Sequence, residues 1–191
     1  MSKETMRKVK LQMQVSADSF IAEPNGEMDW MTWNWGDDLK QYVTELTDPV
    51  DCILLGRVLA QGFIPAWEGQ LANPGTEDAA SVHKMVDTPK VVFTKTLDSL
   101  KGQNVQLEKG DLVEAITRLK ATPGKDIIAY GGSNFVSNLI QHGLIDEYYL
   151  FVNPAAIGNG MPIFKERTNL KLVNARPFEC GVVVLHYVPV R

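Results

Sequence analysis

Three short stretches of this chain bring together residue types that hold phosphate. In IIAYGGSNF, residues 127–135, an apolar run meets Gly131 and Gly132 and then Ser133 and Asn134, and VSNLIQHG follows with helical spacing. Glycine has no Cβ, so a Gly-Gly turn admits a ligand close to the backbone. The helix behind it directs unpaired N–H groups and its positive dipole end at the same point. ILLGRV repeats the arrangement, with a strand, Gly56, and a helix whose first turn carries Arg57; a guanidinium beside a helix start suits a phosphate. VVFTKTL ends a third strand in Thr94, Lys95 and Thr96, two hydroxyls and an ammonium.

Taken singly, each of these turns also reads as a plain junction or a solvated loop. Three such ends on one sheet fit an extended ligand with several phosphates, for which a dinucleotide is the economical candidate. The usual dinucleotide fingerprint is missing: GNGMPI, residues 158–163, opens no helix, and no Walker-type Gly-Lys-Ser occurs.

The elements that must position these turns follow from periodicity. VKLQMQVS alternates and opens the sheet, and Leu39, Tyr42, Val43 and Leu46 form one helical stripe ahead of the strand DCILLG. A helix starts at Arg57, another covers 77–86, and Thr88-Pro89 stops it before the strand KVVFT. VQL is a short strand, Asp111 and Glu114 form a capping-box pattern, and DIIAY leads into the glycines. LIDEYYLFVNP reads as a long strand, and LKLVNARPF with GVVVLHYV as an antiparallel hairpin about Glu179. The expected fold is a single α/β domain: a central mixed, mostly parallel sheet, about four flanking helices and a C-terminal hairpin. Residues 1–8 are read as an N-terminal extension and 9–191 as the domain. Ligands on such sheets bind at the carboxyl ends of the strands.

Composition narrows the function classes. The 191 residues are 45% hydrophobic and 22% charged with a formal net charge of −4, so no basic balance advertises a nucleic-acid or anionic-membrane partner. No run approaches a spanning helix, and MSKETMRKVKLQMQV lacks the apolar core of a secretory signal; a cytoplasmic protein is expected. Cys52 and Cys180 make no Cys-x-x-Cys, and His83, His142 and His186 lack ligand spacing, so no metal is expected.

The series SADSFIA, DWMTWNWGDDL, LLGR, VVFTKT, YGGSNFVSNLIQHGLIDEYYLFVNP and IGNGMPIF resembles the dihydrofolate reductase-like superfamily. Within it, the series is most similar to the reductase domain of bifunctional riboflavin-biosynthesis deaminase-reductases and its stand-alone relatives, from about Val9 to the C-terminus. That resemblance implies an enzyme using NADPH as hydride donor on a small-molecule substrate, commonly as a homodimer. It places Gly131 and Gly132 against the pyrophosphate, Arg57 on a phosphate, and Thr94 and Lys95 near the adenosine 2′-phosphate, with Gly56, Thr96, Ser133 and Asn134 as further cofactor-binding positions.

Trp33, Asp38 and Leu39 reproduce the superfamily's spacing of a tryptophan, an acidic residue five positions on, and a leucine, which makes Asp38 the candidate catalytic group. On the helical wheel Asp38 borders the apolar stripe, a position suited to proton donation or to hydrogen bonding a substrate N–H. Asp38 with Gln41 also matches a capping box, which needs no chemistry. Ser16 and Asp18 occupy the family's first strand end, near substrate, and Trp33 is a candidate for stacking on a planar ring.

Two departures stand out. Ser19 replaces the usual glycine after Asp18, and Leu59 replaces the threonine of Gly-Arg-x-Thr. No lysine or arginine occurs between Arg57 and Lys84, which disfavours folate as substrate. The alternatives to this reading are a non-catalytic nucleotide-binding protein with a degenerate cleft, or a true dihydrofolate reductase.

Overall fold

The computed structural model describes residues 6–75 and 77–191; residues 1–5 of the expected N-terminal extension lie outside them. In chain order the elements are β1 (Val9–Val15), α1 (Asp37–Thr47), β2 (Val50–Gly56), α2 (Arg57–Ala72), α3 (Ala79–Asp87), β3 (Lys90–Phe93), β4 (Val105–Glu108), α4 (Leu112–Ala121), β5 (Asp126–Gly131), α5 (Ser133–Gln141), β6 (Glu147–Val152), β7 (Leu170–Pro177) and β8 (Val183–Pro189). All eight strands share one sheet in the order β4-β3-β2-β5-β1-β6-β8-β7. Strands β1 to β6 pair in parallel, and β8 and β7 add antiparallel at one edge.

Five helices flank the sheet against the expected total of about four, each at a segment the periodicity marks, and α2 and α3 pack on the same sheet face. Helix α3 starts two residues later than expected: Asp78 caps it, accepting from the Ser81 N–H at 2.9 Å. Asp111 caps α4 through the Glu114 N–H at 3.0 Å, as its spacing predicts. The Asp38–Gln41 capping box does not form. Gly36 is the N-cap of α1, and the Gln41 side chain instead donates to Glu45.

The strand pattern sends alternate residues to two cores. Val9, Leu11 and Met13 of β1, Ile127 and Ala129 of β5, and Leu150 of β6 meet Ile116 of α4 and Val136 and Leu139 of α5. On the other face α1 packs over β6 and β8 through Leu39, Leu46, Phe151 and Val184. Ala60 and Ile64 of α2 pack over β2, β3 and β5 through Leu55, Val92 and Ile128. No β1 residue belongs to either of these two clusters. The central strand therefore lays a polar strip, Lys10, Gln12 and Gln14, between them.

Candidate cofactor and substrate site

Strands β2 and β5 lie side by side, with Leu55 in register with Gly131, so the two glycine turns emerge together. Gly56 is the N-cap of α2 and Gly132 the N-cap of α5, and neither helix has a side-chain cap. A Cβ on Gly56 would lie 2.8 Å from the Phe135 Cβ and 3.0 Å from the Gly132 nitrogen. Only glycine allows this approach, and it sets the uncapped N-termini of α2 and α5 next to each other. Gly131 has φ +136° and is joined to Gly132 by a cis peptide bond. A Cβ on Gly132 would meet nothing within 4 Å, so space remains over the start of α5. Arg57 is exposed, and among the described residues its guanidinium makes one long contact, 3.5 Å to Gln61.

Leu59 occupies the wall of the same turn, where a Cβ on Gly131 would lie 3.2 Å from its Cδ2. The threonine that the resemblance places there would offer a hydroxyl; this chain presents apolar surface.

The remaining sequence-predicted residues of this region hold the scaffold. Ser133 donates to the Pro162 carbonyl at 3.2 Å, and the Asn134 side-chain oxygen accepts from Lys165 at 3.2 Å. Ser137, one turn on and buried, donates to the Ile163 carbonyl at 2.9 Å. These bonds fasten α5 to the segment that follows β6. Ser16 and Asp18 fasten the same segment from the opposite side. Ser16 donates to Asp18 at 2.6 Å, and Asp18 accepts from the N–H groups of Ile157 at 3.1 Å and Gly158 at 2.7 Å. The Ser16 hydrogen bond, with those of Gly158 and Ile157, holds the exposed Asp18 carboxyl below the usual carboxylate range. Ser19 completes this turn with φ 71°, a region that favours the glycine the resemblance places there.

At the third strand end Thr94 is buried and its oxygen accepts from the N–H groups of Thr96 and Leu97, a turn built around a hydroxyl. Lys95 folds back on the carbonyls of Lys109 and Gly110, 2.6 Å each, and Thr96 is exposed.

Asp38 is half-buried at the start of α1. One carboxylate oxygen accepts from the Leu39 N–H at 2.8 Å and the other from the Glu179 N–H at 3.0 Å, tying the helix to the β7–β8 turn. Each oxygen keeps a further lone pair. Trp33 stands 63% exposed and stacks on Trp35 at 6.2 Å, which stacks in turn on Phe151.

Sequence reasoning missed Asn153. Fully buried at the end of β6, it accepts from the Thr32 N–H at 2.9 Å and donates to the Gln14 side chain and the Phe151 carbonyl. It thereby seats the loop that carries Trp33. Its only signal was a polar residue closing an apolar strand before Pro154.

Below this mouth the polar strip is held by ion pairs. Lys10 meets Asp126 at 2.9 Å, and Glu147 accepts from Lys8 at 2.6 Å and from the Tyr149 hydroxyl at 2.6 Å. His186 stacks on Tyr149 at 4.2 Å, and its burial lowers its pKa against the pull of Glu147. Gln12 Oε1 is buried without a partner among the described residues.

The family described as RibD C-terminal domain matches residues 7–184. The uncharacterized protein YyaP of Bacillus subtilis (strain 168) is 36% identical over 188 residues, covering 95% of this chain and 94% of that protein. Among solved structures, a putative riboflavin biosynthesis protein from Shewanella sp. PV-4 superposes with a TM-score of 0.70 at 22% identity, covering 97% of this chain and all of the other. A diaminohydroxyphosphoribosylaminopyrimidine deaminase/5-amino-6-(5-phosphoribosylamino)uracil reductase from Thermotoga maritima gives 0.68 at 21% identity, with 57% of that longer chain covered.

Proposed function

The chain belongs to the RibD C-terminal domain family, and from that premise we propose that it is an NADPH-dependent reductase acting on a C=N or C=O group of a small heterocyclic or sugar-derived substrate. The observation that carries this reading is the convergence of two uncapped helix N-termini at Gly56 and Gly132, with open space over Gly132. Two clusters of unpaired N–H groups and a nearby guanidinium match the charge and shape of a pyrophosphate.

When bound, the cofactor supplies a hydride to the substrate carbon. The protein's own groups bind, orient and exclude. The first-turn N–H groups of α2 and α5 would hold the pyrophosphate, Arg57 would add a cationic contact, and Lys95 would serve the 2′-phosphate. Asp38, its two oxygens already steadied by backbone N–H groups, uses its remaining lone pairs to accept from a substrate N–H or to relay a proton. Trp33 offers an exposed ring face to a planar substrate. Ser16 and Asp18 act at one remove, holding the segment after β6 as a wall of the cleft.

A non-catalytic nucleotide-binding protein is the second reading, and Leu59 favours it, because an apolar side chain stands where a phosphate-facing hydroxyl is expected. Following NADPH oxidation at 340 nm separates the two. The substrates are the ribosylaminopyrimidine phosphate named for the Thermotoga protein and a panel of pteridines and small carbonyls. Enzyme-dependent oxidation with one of these supports the reductase; tight NADPH binding with no oxidation across the panel supports the second reading.

A further inference from the structure

At the amino edge of the sheet, opposite the glycine turns, Ile140, Ile145, Tyr148, Arg167, Thr168 and Val190 contribute to the wall of a cavity of about 330 Å³. That volume is at the small end of ligand pockets. Its lining mixes apolar side chains with polar ones, Tyr148 among them. Tyr148 is 1% exposed and stacks on Phe164 at 6.1 Å, and among the described residues its hydroxyl has no hydrogen-bond partner. The buried side-chain atoms left without a partner do not include this hydroxyl, so it keeps access to the cavity that Tyr148 lines, and a ligand there can meet it. Burial pushes the Tyr148 pKa up to about 12, so the group is a donor at neutral pH.

The rim is cationic. Lys165, Arg167 and Arg191 all line the cavity, with Glu166 the one acidic side chain among its walls. Lys165 is engaged by Asn134 and Arg191 by Asp146. Arg167 has no ion pair or hydrogen bond among the described residues, which leaves its fork of donors available for a carboxylate or phosphate.

We propose that this cavity binds a small organic anion, a carboxylate or phosphate on an apolar body, with the Tyr148 hydroxyl and the Arg167 guanidinium on the anionic group and Ile140, Ile145 and Val190 around the body. It is separate from the proposed cofactor site and does not depend on that assignment.

The full chain is titrated by calorimetry with benzoate, with phenyl phosphate, and with benzyl alcohol as the uncharged counterpart, while amide chemical shifts locate the ligand. The expected result is saturable binding of at least one anion, benzyl alcohol weaker by about tenfold or more, and shifts at residues 140–145 and 167–169. The tighter of the two anions identifies the preferred group. Arg167→Ala, an exposed change that leaves the fold intact, weakens the anion by about tenfold or more, and Tyr148→Phe weakens it severalfold. No saturable binding, equal binding of benzyl alcohol, or unchanged affinity in Arg167→Ala overturns the proposal. So do shifts centred on residues 131–134, which put the anion in the glycine turns instead.

Discussion

The backbone nitrogen of Gly132 lies where a Cβ on Gly56 would come within 3.0 Å of it, whereas a Cβ on Gly132 itself would touch nothing within 4 Å. The two glycines of one cleft therefore answer differently to alanine. Gly56→Ala also meets the Phe135 Cβ at 2.8 Å, so it forces apart the starts of α2 and α5 and costs about 1–3 kcal/mol, read as a fall in Tm of several degrees. Gly132→Ala, at φ −83° and ψ −172°, keeps the fold but puts a methyl where the phosphates would lie. Its Tm stays close to wild type and its NADPH affinity drops by about tenfold or more. Thermal melts and calorimetry on the two variants check both halves.

Lys95 has one observed role and one proposed, and one substitution tells them apart. Its ammonium bonds the Lys109 and Gly110 carbonyls at 2.6 Å, which staples the end of β3 to the loop before α4. If it also faces the 2′-phosphate, Lys95→Ala weakens NADPH more than NADH. Equal losses for both nucleotides leave the staple as its whole contribution.

Asp38→Asn retains an oxygen for the Glu179 N–H but loses the charge and one acceptor. Turnover is expected to fall by about a hundredfold or more, within the range of a lost acid–base group, while NADPH affinity changes little. A Tm drop with turnover preserved would reduce Asp38 to a tie between α1 and the β7–β8 turn.

Acid stability centres on Asp146, which joins Lys120 at 2.6 Å, Arg191 at 2.8 Å and the Val9 N–H at 2.9 Å. Burial works to raise its pKa, but these partners outweigh it and hold the pKa below the ordinary 3.8. The folded protein thus binds this proton less readily than the unfolded chain. The stabilisation is complete above about pH 4 and is lost as pH falls through the lower folded value. Asp146→Asn should cost about 1–3 kcal/mol at pH 7 and flatten the acid limb of stability against pH, measured by urea unfolding at a series of pH values.

Local signals carried most of the fold. The helical stripe of Leu39, Tyr42, Val43 and Leu46, the Asp111 cap and the hairpin about Glu179 are all decided within a few residues of themselves. What escaped the sequence was decided by partners far along the chain. The alternation of β1 marks a strand without fixing its place, and β1 lies between β5 and β6 with Lys10 buried against Asp126. Ser133 and Asn134 stand out as ligand contacts by following Gly131 and Gly132, and Ser16 and Asp18 by the resemblance at the first strand end. Asp18, Ser133 and Asn134 also hold the segment 157–165, a pairing that no local pattern encodes. Asn153 gave still less warning, since its partners Thr32 and Gln14 are more than a hundred residues away.

The central claim is a cofactor cleft at the paired glycine turns, and side-by-side calorimetric titration of the full chain with NADPH and NADH tests it most directly. It needs no substrate. Micromolar binding that favours NADPH in wild type, and is weakened about tenfold or more in Gly132→Ala at unchanged Tm, is the result predicted. Absence of binding by either nucleotide in the folded wild-type protein would contradict the cleft and, with it, the reductase assignment.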